Sequence, residues 1–451
     1  MVALTRRWLL ILIAASVPLA LGLVACGGGN GSGGSSAFAH VSAVGTDTCG
    51  DVEYGGHGDP TALIVSDLPQ QGDSAERTSQ MNDAIRQELG NEGWKAGKTD
   101  VAFQACDDSI KSTGEWDEAT CKSNAAAYAA NSDVLGVIGT YNSGCAALMI
   151  PILNRAPGGG LPMVSPGNTL ICLTETAKGC EPGQPDSLYP SGTRNYARVV
   201  PNDAFQGAAL ATFVQKQGVA KPFLLTAADD PTSSGQANTF TGAAKALGMK
   251  LAGSEQWDPK ATDYTALMKK VKASGADAVV LAGLLEQNGA QLIKDKVAAL
   301  GPNQGDKAAA QLFAFDGFAQ QATIDDAGPA AAGMFASLPG RLPEKLTGEG
   351  KAFVDQLQSK LGGQPIELFA PYAGEAAQVM LSAIAPDPAR ASIVKGLTQV
   401  EIDKGVTGVF TITATGDPSV APISISVAGD TFKAAAEITP PANLVNAARG
   451  G

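Results

Sequence analysis

The sequence predicts an α/β fold of two similar lobes, each built on a parallel central sheet. Three observations carry this. Short apolar runs alternate with helix-period segments along most of the chain, the pattern of parallel βαβ units and not of a sandwich. The alternation breaks at Pro201 and restarts, and 451 residues exceed what one ordinary core organises. Finally, Ser132-Asp133-Val134-Leu135-Gly136-Val137-Ile138-Gly139 and Ala276-Asp277-Ala278-Val279-Val280-Leu281-Ala282-Gly283 read as one architectural unit used twice.

Taken in order, Leu63-Ile64-Val65 is the first short strand. Gly72-Asp73-Ser74 opens a helix with Met81, Ile85 and Leu89 on one face and Gly90 as its stop. Residues 101–105 are the next strand, 119–130 the next helix and 134–138 the third strand. That strand runs into Gly139-Thr140-Tyr141-Asn142-Ser143-Gly144 and an Ala-rich helix. A second loop of the same kind, Ser165-Pro166-Gly167-Asn168-Thr169, follows the apolar Leu161-Pro162-Met163-Val164. In open α/β sheets ligands bind at the carboxyl ends of strands, and a helix amino terminus offers free N–H groups to an anion. Ser and Thr also cap helices and form turns. It is the pairing of two such loops that reads as half of a small-molecule site.

After Pro201 come strand 223–225, helix 236–247, strand 278–282, helix 290–300 and strand 312–315. Residues 347–399 are mostly helical, with Phe353, Leu357 and Leu361 on one face and Ala376, Val379, Met380 and Ile384 on another. The ending differs. Val409-Phe410-Thr411-Ile412, Ile423-Ser424-Ile425-Ser426-Val427 and Thr431-Phe432-Lys433-Ala434-Ala435 alternate, joined by Gly416-Asp417-Pro418 and Gly429-Asp430, and predict a small antiparallel addition.

Composition excludes several functions. Lys plus Arg number 32 against 44 Asp plus Glu, a formal charge of −12 with no basic block past the leader, so nucleic acid is a poor partner. The two histidines, His40 and His57, lie near the amino-terminal linker, which removes most His-based catalysis and metal sites. Gly93-Trp94-Lys95-Ala96-Gly97-Lys98-Thr99 is one residue short of a phosphate-binding loop and follows a helix instead of a strand. No G-x-S-x-G elbow occurs. The chain is therefore expected to be no enzyme and to hold no metal or cofactor.

Arg6 and Arg7 precede an apolar run over residues 8–25, long enough to span a bilayer. Leu23-Val24-Ala25-Cys26, however, resembles the bacterial lipobox. Residues 1–25 are then a lipoprotein signal peptide and Cys26 the acylated first residue, anchoring the protein to the outer face of the cell membrane. Thr5-Arg6-Arg7-Trp8-Leu9 loosely resembles a twin-arginine signal, but the apolar core favours the general export route. Residues 26–58 follow as a Gly/Ser-rich linker. Six cysteines remain for three disulfides in an exported chain. Spacing pairs Cys172 with Cys180; the other four allow three pairings each consistent with the sequence.

Several stretches, in order, resemble the branched-chain amino acid (leucine, isoleucine, valine) class of periplasmic binding proteins, the type I substrate-binding components of ABC importers. They are Val65-Ser66-Asp67-Leu68-Pro69; Gln104-Ala105-Cys106-Asp107-Asp108; Val137-Ile138-Gly139 with Ser143; Val164-Ser165-Pro166-Gly167-Asn168-Thr169; and residues 198–207. Phe315-Asp316-Gly317-Phe318, Gly333-Met334 and Tyr372-Ala373-Gly374-Glu375-Ala376 complete the series over roughly residues 60–437. The resemblance implies two Rossmann-like, flavodoxin-like lobes joined by three crossover strands, with a ligand clamped between them by hinge closure. Lobe 1 would be 60–201 plus 340–408 and lobe 2 would be 202–339 plus 409–446. It implies a Cys106–Cys145 bridge, which leaves Cys49 to Cys121. It also implies a monomer that hands its ligand to an ABC permease and ATPase; the alternative is a ligand-sensing lipoprotein that reports to a membrane receptor.

An amino acid ligand is a zwitterion, so its site needs donors for a carboxylate and acceptors for an ammonium. Ser143, with Asn142, Gly144 and the following helix start, would hold the carboxylate; Thr169 and the Gly167 carbonyl region, beside Asn168, would take the ammonium. By the resemblance Asp316 neutralises the ammonium from the second lobe, and Asp203 matches an acidic position at the first crossing. Ser234 and Leu284 stand where relatives often place aromatic residues over the ligand. The chain is thus expected to lack that aromatic lid and to take a polar ligand, an amino acid or an amide.

Overall fold

A computed structural model describes residues 38–305 and 310–450. The expected signal peptide and Cys26 lie outside the described residues. Strands β1 (Cys49–Glu53), β2 (Ala62–Leu68), β3 (Lys95–Ala96), β4 (Thr99–Asp107), β5 (Val134–Gly139), β6 (Met163–Ser165) and β7 (Tyr196–Arg198) form one sheet. Its order is β1-β4-β2-β5-β6-β7, with β3 also on β4. The run from β4 to β7 is parallel, and β1 and β3 are antiparallel to β4.

The second sheet contains β8 (Pro222–Ala227), β9 (Gly253–Trp257), β10 (Ala278–Ala282), β11 (Gln311–Ala314) and β12 (Phe335–Leu338). After the separate hairpin of β13 (Glu401–Ile402) and β14 (Phe410–Thr411), β15 (Ile423–Ala428) and β16 (Phe432–Ile438) join this same sheet. Its order is β16-β15-β12-β11-β10-β8-β9, parallel from β12 to β9 and antiparallel over β15 and β16. Of the three alternating carboxyl-terminal segments expected to form an antiparallel addition, those at 423–427 and 431–435 extend the second sheet, whereas 409–412 supplies β14 of the separate hairpin. The repeated unit noted in the sequence supplies β5 and β10, both buried along their whole length. Their unbroken apolar runs suit strands covered by helices on both faces.

The helices are α1 (Ala75–Asn91), α2 (Glu118–Ala130), α3 (Ser143–Asn154), α4 (Asp203–Lys216), α5 (Pro231–Ala246) and α6 (Thr265–Ala273), followed by α7 (Gly289–Leu300) and α8 (Gln321–Ala327). The last four are α9 (Glu349–Lys360), α10 (Ala370–Ile384), α11 (Arg390–Leu397) and α12 (Ala442–Gly450). Helix α10 packs on α1, β5 and β6, so after β12 the chain returns to the first sheet, and it goes back to the second at β15. Together with the passage from β7 to α4 this makes three crossings. Among the described residues no helix is long and apolar enough to cross a membrane.

The disulfides require a correction. The bridges are Cys49–Cys106, Cys121–Cys145 and Cys172–Cys180. The local bridge agrees with its spacing, whereas the expected Cys106–Cys145 and Cys49–Cys121 pairings do not form. The cause is the amino-terminal segment. Instead of remaining linker to residue 58, it supplies β1, which lies antiparallel along β4 and sets Cys49 opposite Cys106. Gln104 holds the segment in place, accepting from the Val44 N–H at 2.8 Å and donating to the Gly50 carbonyl at 2.8 Å. With Cys106 taken, Cys145 at the start of α3 meets Cys121 on the neighbouring α2.

Candidate functional site

Strand β5 ends at Gly139, and Thr140-Tyr141-Asn142 leads directly into α3 at Ser143. At the starts of α2, α4 and α5, Asp117, Asn202 and Asp230 accept from first-turn N–H groups of their own helix. Asn142 makes no such side-chain cap, so the first-turn N–H groups of α3 remain available to an anion. The Ser143 hydroxyl sits among them. It accepts from the backbone N–H of Thr169 at 3.2 Å and of Leu170 at 3.3 Å. A hydroxyl has two lone pairs and one O–H. With both lone pairs engaged, Ser143 has a donor left to offer, which suits a carboxylate.

The second loop is held from below. Ser165 Oγ accepts from the N–H groups of Gly167 at 3.1 Å and Asn168 at 2.8 Å. The Asn168 amide donates to the carbonyls of Thr140 at 2.9 Å and Tyr141 at 2.8 Å, and its oxygen accepts from the Tyr196 hydroxyl at 3.0 Å. Asn168 is thus a brace that fixes the two loops against each other. Arg198 on β7 completes the support, donating to the carbonyls of Asn168 and Leu170 and to Asp417 at 2.8 Å.

Trp116, Tyr141, Asn142, Ser143, Gly167 and Thr169 form the first-sheet wall of a cleft. Thr232, Gln236, Leu284 and Asp316 face them from the second-sheet side. The space enclosed is only about 10 Å³, room for about one water, so the cleft is shut. Asp316, just past β11, accepts at Oδ1 from the side-chain amides of Gln206 at 2.7 Å and Gln236 at 3.0 Å. Burial pushes its carboxyl up to about 6, against the pull of the Gln206 hydrogen bond and the Arg77 charge. Asp203, the first residue of α4, is fully buried beside Thr169, and burial together with the Asp316 charge raises it well above the ordinary carboxylate range.

Shut contacts extend beyond the cleft. Arg77 on α1 donates to Glu286, in the loop after β10, at 2.9 Å, and both side chains are almost wholly buried. Ser74 donates to the same Glu286 oxygen at 2.8 Å, and the guanidinium lies 4.0 Å from the centre of the Tyr141 ring. At Gly235 on α5 a side chain would come within 2.8 Å of Leu170 Cδ1 in the first-sheet loop, so the two walls meet closely there.

Of the residues expected at a site, Asn142, Ser143, Gly167, Thr169, Leu284 and Asp316 line one cleft. Asn168 and Asp203 are buried and do not line the cleft in its shut form. Gly144 lies in the first turn of α3 under Trp116, whose Cζ2 would be 2.3 Å from a Cβ at that position; only glycine admits the indole there. Ser234 sits half-buried on α5 and is not a lining residue. Sequence reasoning missed Trp116, Thr232 and Gln236. Trp116 is put in place by a tight turn, with the Ile110 N–H donating to the Glu115 carbonyl and the Asp117 N–H to the Asp108 carbonyl. Its signal was available: a tryptophan directly before the Asp that caps α2. An aromatic wall is present, then, but it comes from the first-sheet side.

The comparisons agree with this architecture. A leucine-binding protein, LivK, from Thermotoga maritima superposes with a TM-score of 0.71 at 20% identity, covering 84% of this chain and 99% of its own. The branched-chain amino acid transporter substrate-binding protein LivJ from Streptococcus pneumoniae, solved with isoleucine, gives 0.69 at 18% identity over 83% and 98%. A solute-binding protein of an ABC transporter from R. palustris, solved with benzoate, gives 0.67 at 17% over 84% and 96%. At these identities they show the shared fold. No curated protein matches the chain in sequence. A family model described as periplasmic binding protein matches residues 72–425, most of the chain, with the cleft inside the match. The chain belongs to the periplasmic binding protein family.

Proposed function

We propose that this protein is an extracytoplasmic substrate-binding lipoprotein of an ABC importer. It clamps a small polar ligand, an amino acid or a relative of one, and delivers it to a permease. The carrying observation is the convergence of a donor-only Ser143 at an uncapped helix start with Asp316 from the opposite sheet, in a cleft too small to fill without opening. That is the charge layout of a zwitterion held end to end. The lobes are 60–201 plus 340–408 and 202–339 plus 409–446, with closure about the three crossings. Related solved structures hold leucine-type amino acids and aromatic acids. The site as built, with buried carboxylates on the second side, favours the amino acid. Delivery and not catalysis fits a site whose titratable groups all have binding roles.

The test is calorimetric titration of the full chain with whichever amino acid binds and with its carboxamide. Removing the carboxylate from the ligand and removing the hydroxyl by Ser143→Ala are each expected to weaken binding about tenfold, and together hardly more. Equal binding of acid and carboxamide would remove Ser143 from the carboxylate role. For the anchor, Cys26→Ser is expected to move the exported protein from the membrane fraction to the soluble one, read by fractionation and immunoblot. Retention in the membrane would point to an uncleaved helix.

A further inference from the structure

The second-sheet side of the cleft holds more acceptors than its protein donors supply. Oδ1 of Asp316 accepts from the Gln206 and Gln236 amide nitrogens, at 2.7 and 3.0 Å, so their carbonyl oxygens are turned away. Neither carbonyl has a hydrogen-bond partner among the described residues, although both glutamines are essentially fully buried. Asp203, one turn earlier on the same face of α4 as Gln206, is fully buried with only the Thr169 hydroxyl to donate to its carboxyl. Unpartnered buried acceptors are rare and each calls for a donor. One proton on Asp203 would satisfy one of them. The one basic side chain that acts on Asp316, Arg77, is committed to Glu286. On the other wall Trp116 presents an aromatic surface, the partner a desolvated cation favours.

We infer that the ligand is a cationic amino acid, one whose second basic group fills the acceptor set of Asp203, Gln206 and Gln236 while its α-carboxylate meets Ser143 and its α-ammonium meets Asp316. This rests on the solute-clamp reading and narrows it. An apolar side chain would leave those acceptors buried and unmet, and an amide would bring two N–H donors without charge; an ω-ammonium or guanidinium brings several N–H donors together with the charge that two buried carboxylates require. Asp203 faces Asp316, Thr169, Arg198 and Asp230, and Asp316 faces Gln206, Gln236, Arg77 and, from the first-sheet wall, Tyr141. Arg198 is already paired with Asp417. The empty site therefore holds protons that a cation displaces, and binding tightens as pH rises through the range where Asp316 ionises.

The experiment is calorimetric titration of the full chain with L-ornithine, L-lysine, L-arginine, L-glutamine and L-leucine, at pH 6 and 8, in buffers of different ionisation enthalpy. The expected result is at least tenfold tighter binding of a basic amino acid than of glutamine or leucine, proton release on binding, and tighter binding at pH 8. Asp203→Asn and, as a second variant, Gln236→Met should each collapse the selectivity between basic and neutral ligands, with native circular dichroism as the folding control. Leucine or glutamine binding as tightly as the basic amino acids would overturn the inference and leave the solute-clamp reading standing. Failure of all five to bind would overturn the amino acid reading as well.

Discussion

Asp316→Ala abolishes the rise in melting temperature that an amino acid ligand gives to the wild-type protein, and the circular dichroism spectrum stays native. The carboxylate is buried and held by the Gln206 and Gln236 amides, so it cannot swing away or be replaced by water without losing that geometry. Truncating one partner of a buried, hydrogen-bonded charge pair costs a complex about 2–5 kcal/mol, or on the order of 100-fold in affinity. Stabilisation by ligand follows RT ln(1 + [L]/Kd), so the shift disappears at ligand concentrations that saturate the wild type. The free protein loses stability too, but part of the loss is compensated and it stays folded. Its loss is two amide donors left unpaired, about 1–3 kcal/mol each, offset by removal of a carboxyl that burial already disfavours in its charged form. A full thermal shift in the variant would mean that the ammonium is held elsewhere.

Arg77→Met is expected to be the most damaging change outside the cleft. Arg77 and Glu286 approach to 2.9 Å from opposite sheets with almost no solvent contact, and Glu286 also accepts from Ser74. Removing one member of a buried pair strands the other, at about 3–5 kcal/mol. Since the pair spans the two sheets, that penalty falls on the shut form. Opening relieves it, because Glu286 regains water. Affinity should therefore drop by about 100-fold while the unliganded protein loses less stability than an intra-domain pair would cost. Pairing the change with Glu286→Leu should restore much of the affinity, since well-packed apolar isosteres commonly match a buried ion pair. Loss of affinity with no recovery in the double variant, measured by the same titration, would show that Arg77 acts on the site through Tyr141 instead.

Most of the fold was legible because its signals are local. The apolar runs of β2, β5, β8 and β10 are buried strands, and the caps and glycine stops between them mark the helices. Several strands escaped, β3, β9, β12 and β13 among them, and the most consequential was β1, an edge strand with a half-exposed, mixed pattern, Cys-Gly-Asp-Val-Glu, next to a glycine-rich stretch. Nothing in its periodicity distinguishes it from linker. The disulfide error followed from it, because pairing depends on which strands lie side by side, and that is a property of the assembled sheet. At the site, the residues on the two first-sheet loops, Ser143, Gly167 and Thr169, could be named from position along the chain, and Asp316 from the family resemblance. Gln236 and Thr232 on α5, and Gln206 on α4, which bonds Asp316, could not: they lie within helices, where polar residues are ordinary, and nothing local marks the face turned toward the cleft. The Arg77–Glu286 pair is 209 residues apart in sequence and was likewise invisible.

Whether the cleft between the two sheets is a solute clamp is decided by thermal denaturation of the full wild-type chain against amino acids, small amides, urea and aromatic acids. An amino acid should raise the melting temperature in a concentration-dependent way, and Asp316→Ala should remove the rise. A chain whose melting temperature no amino acid shifts at millimolar concentration, or whose shift survives Asp316→Ala unchanged, would contradict it.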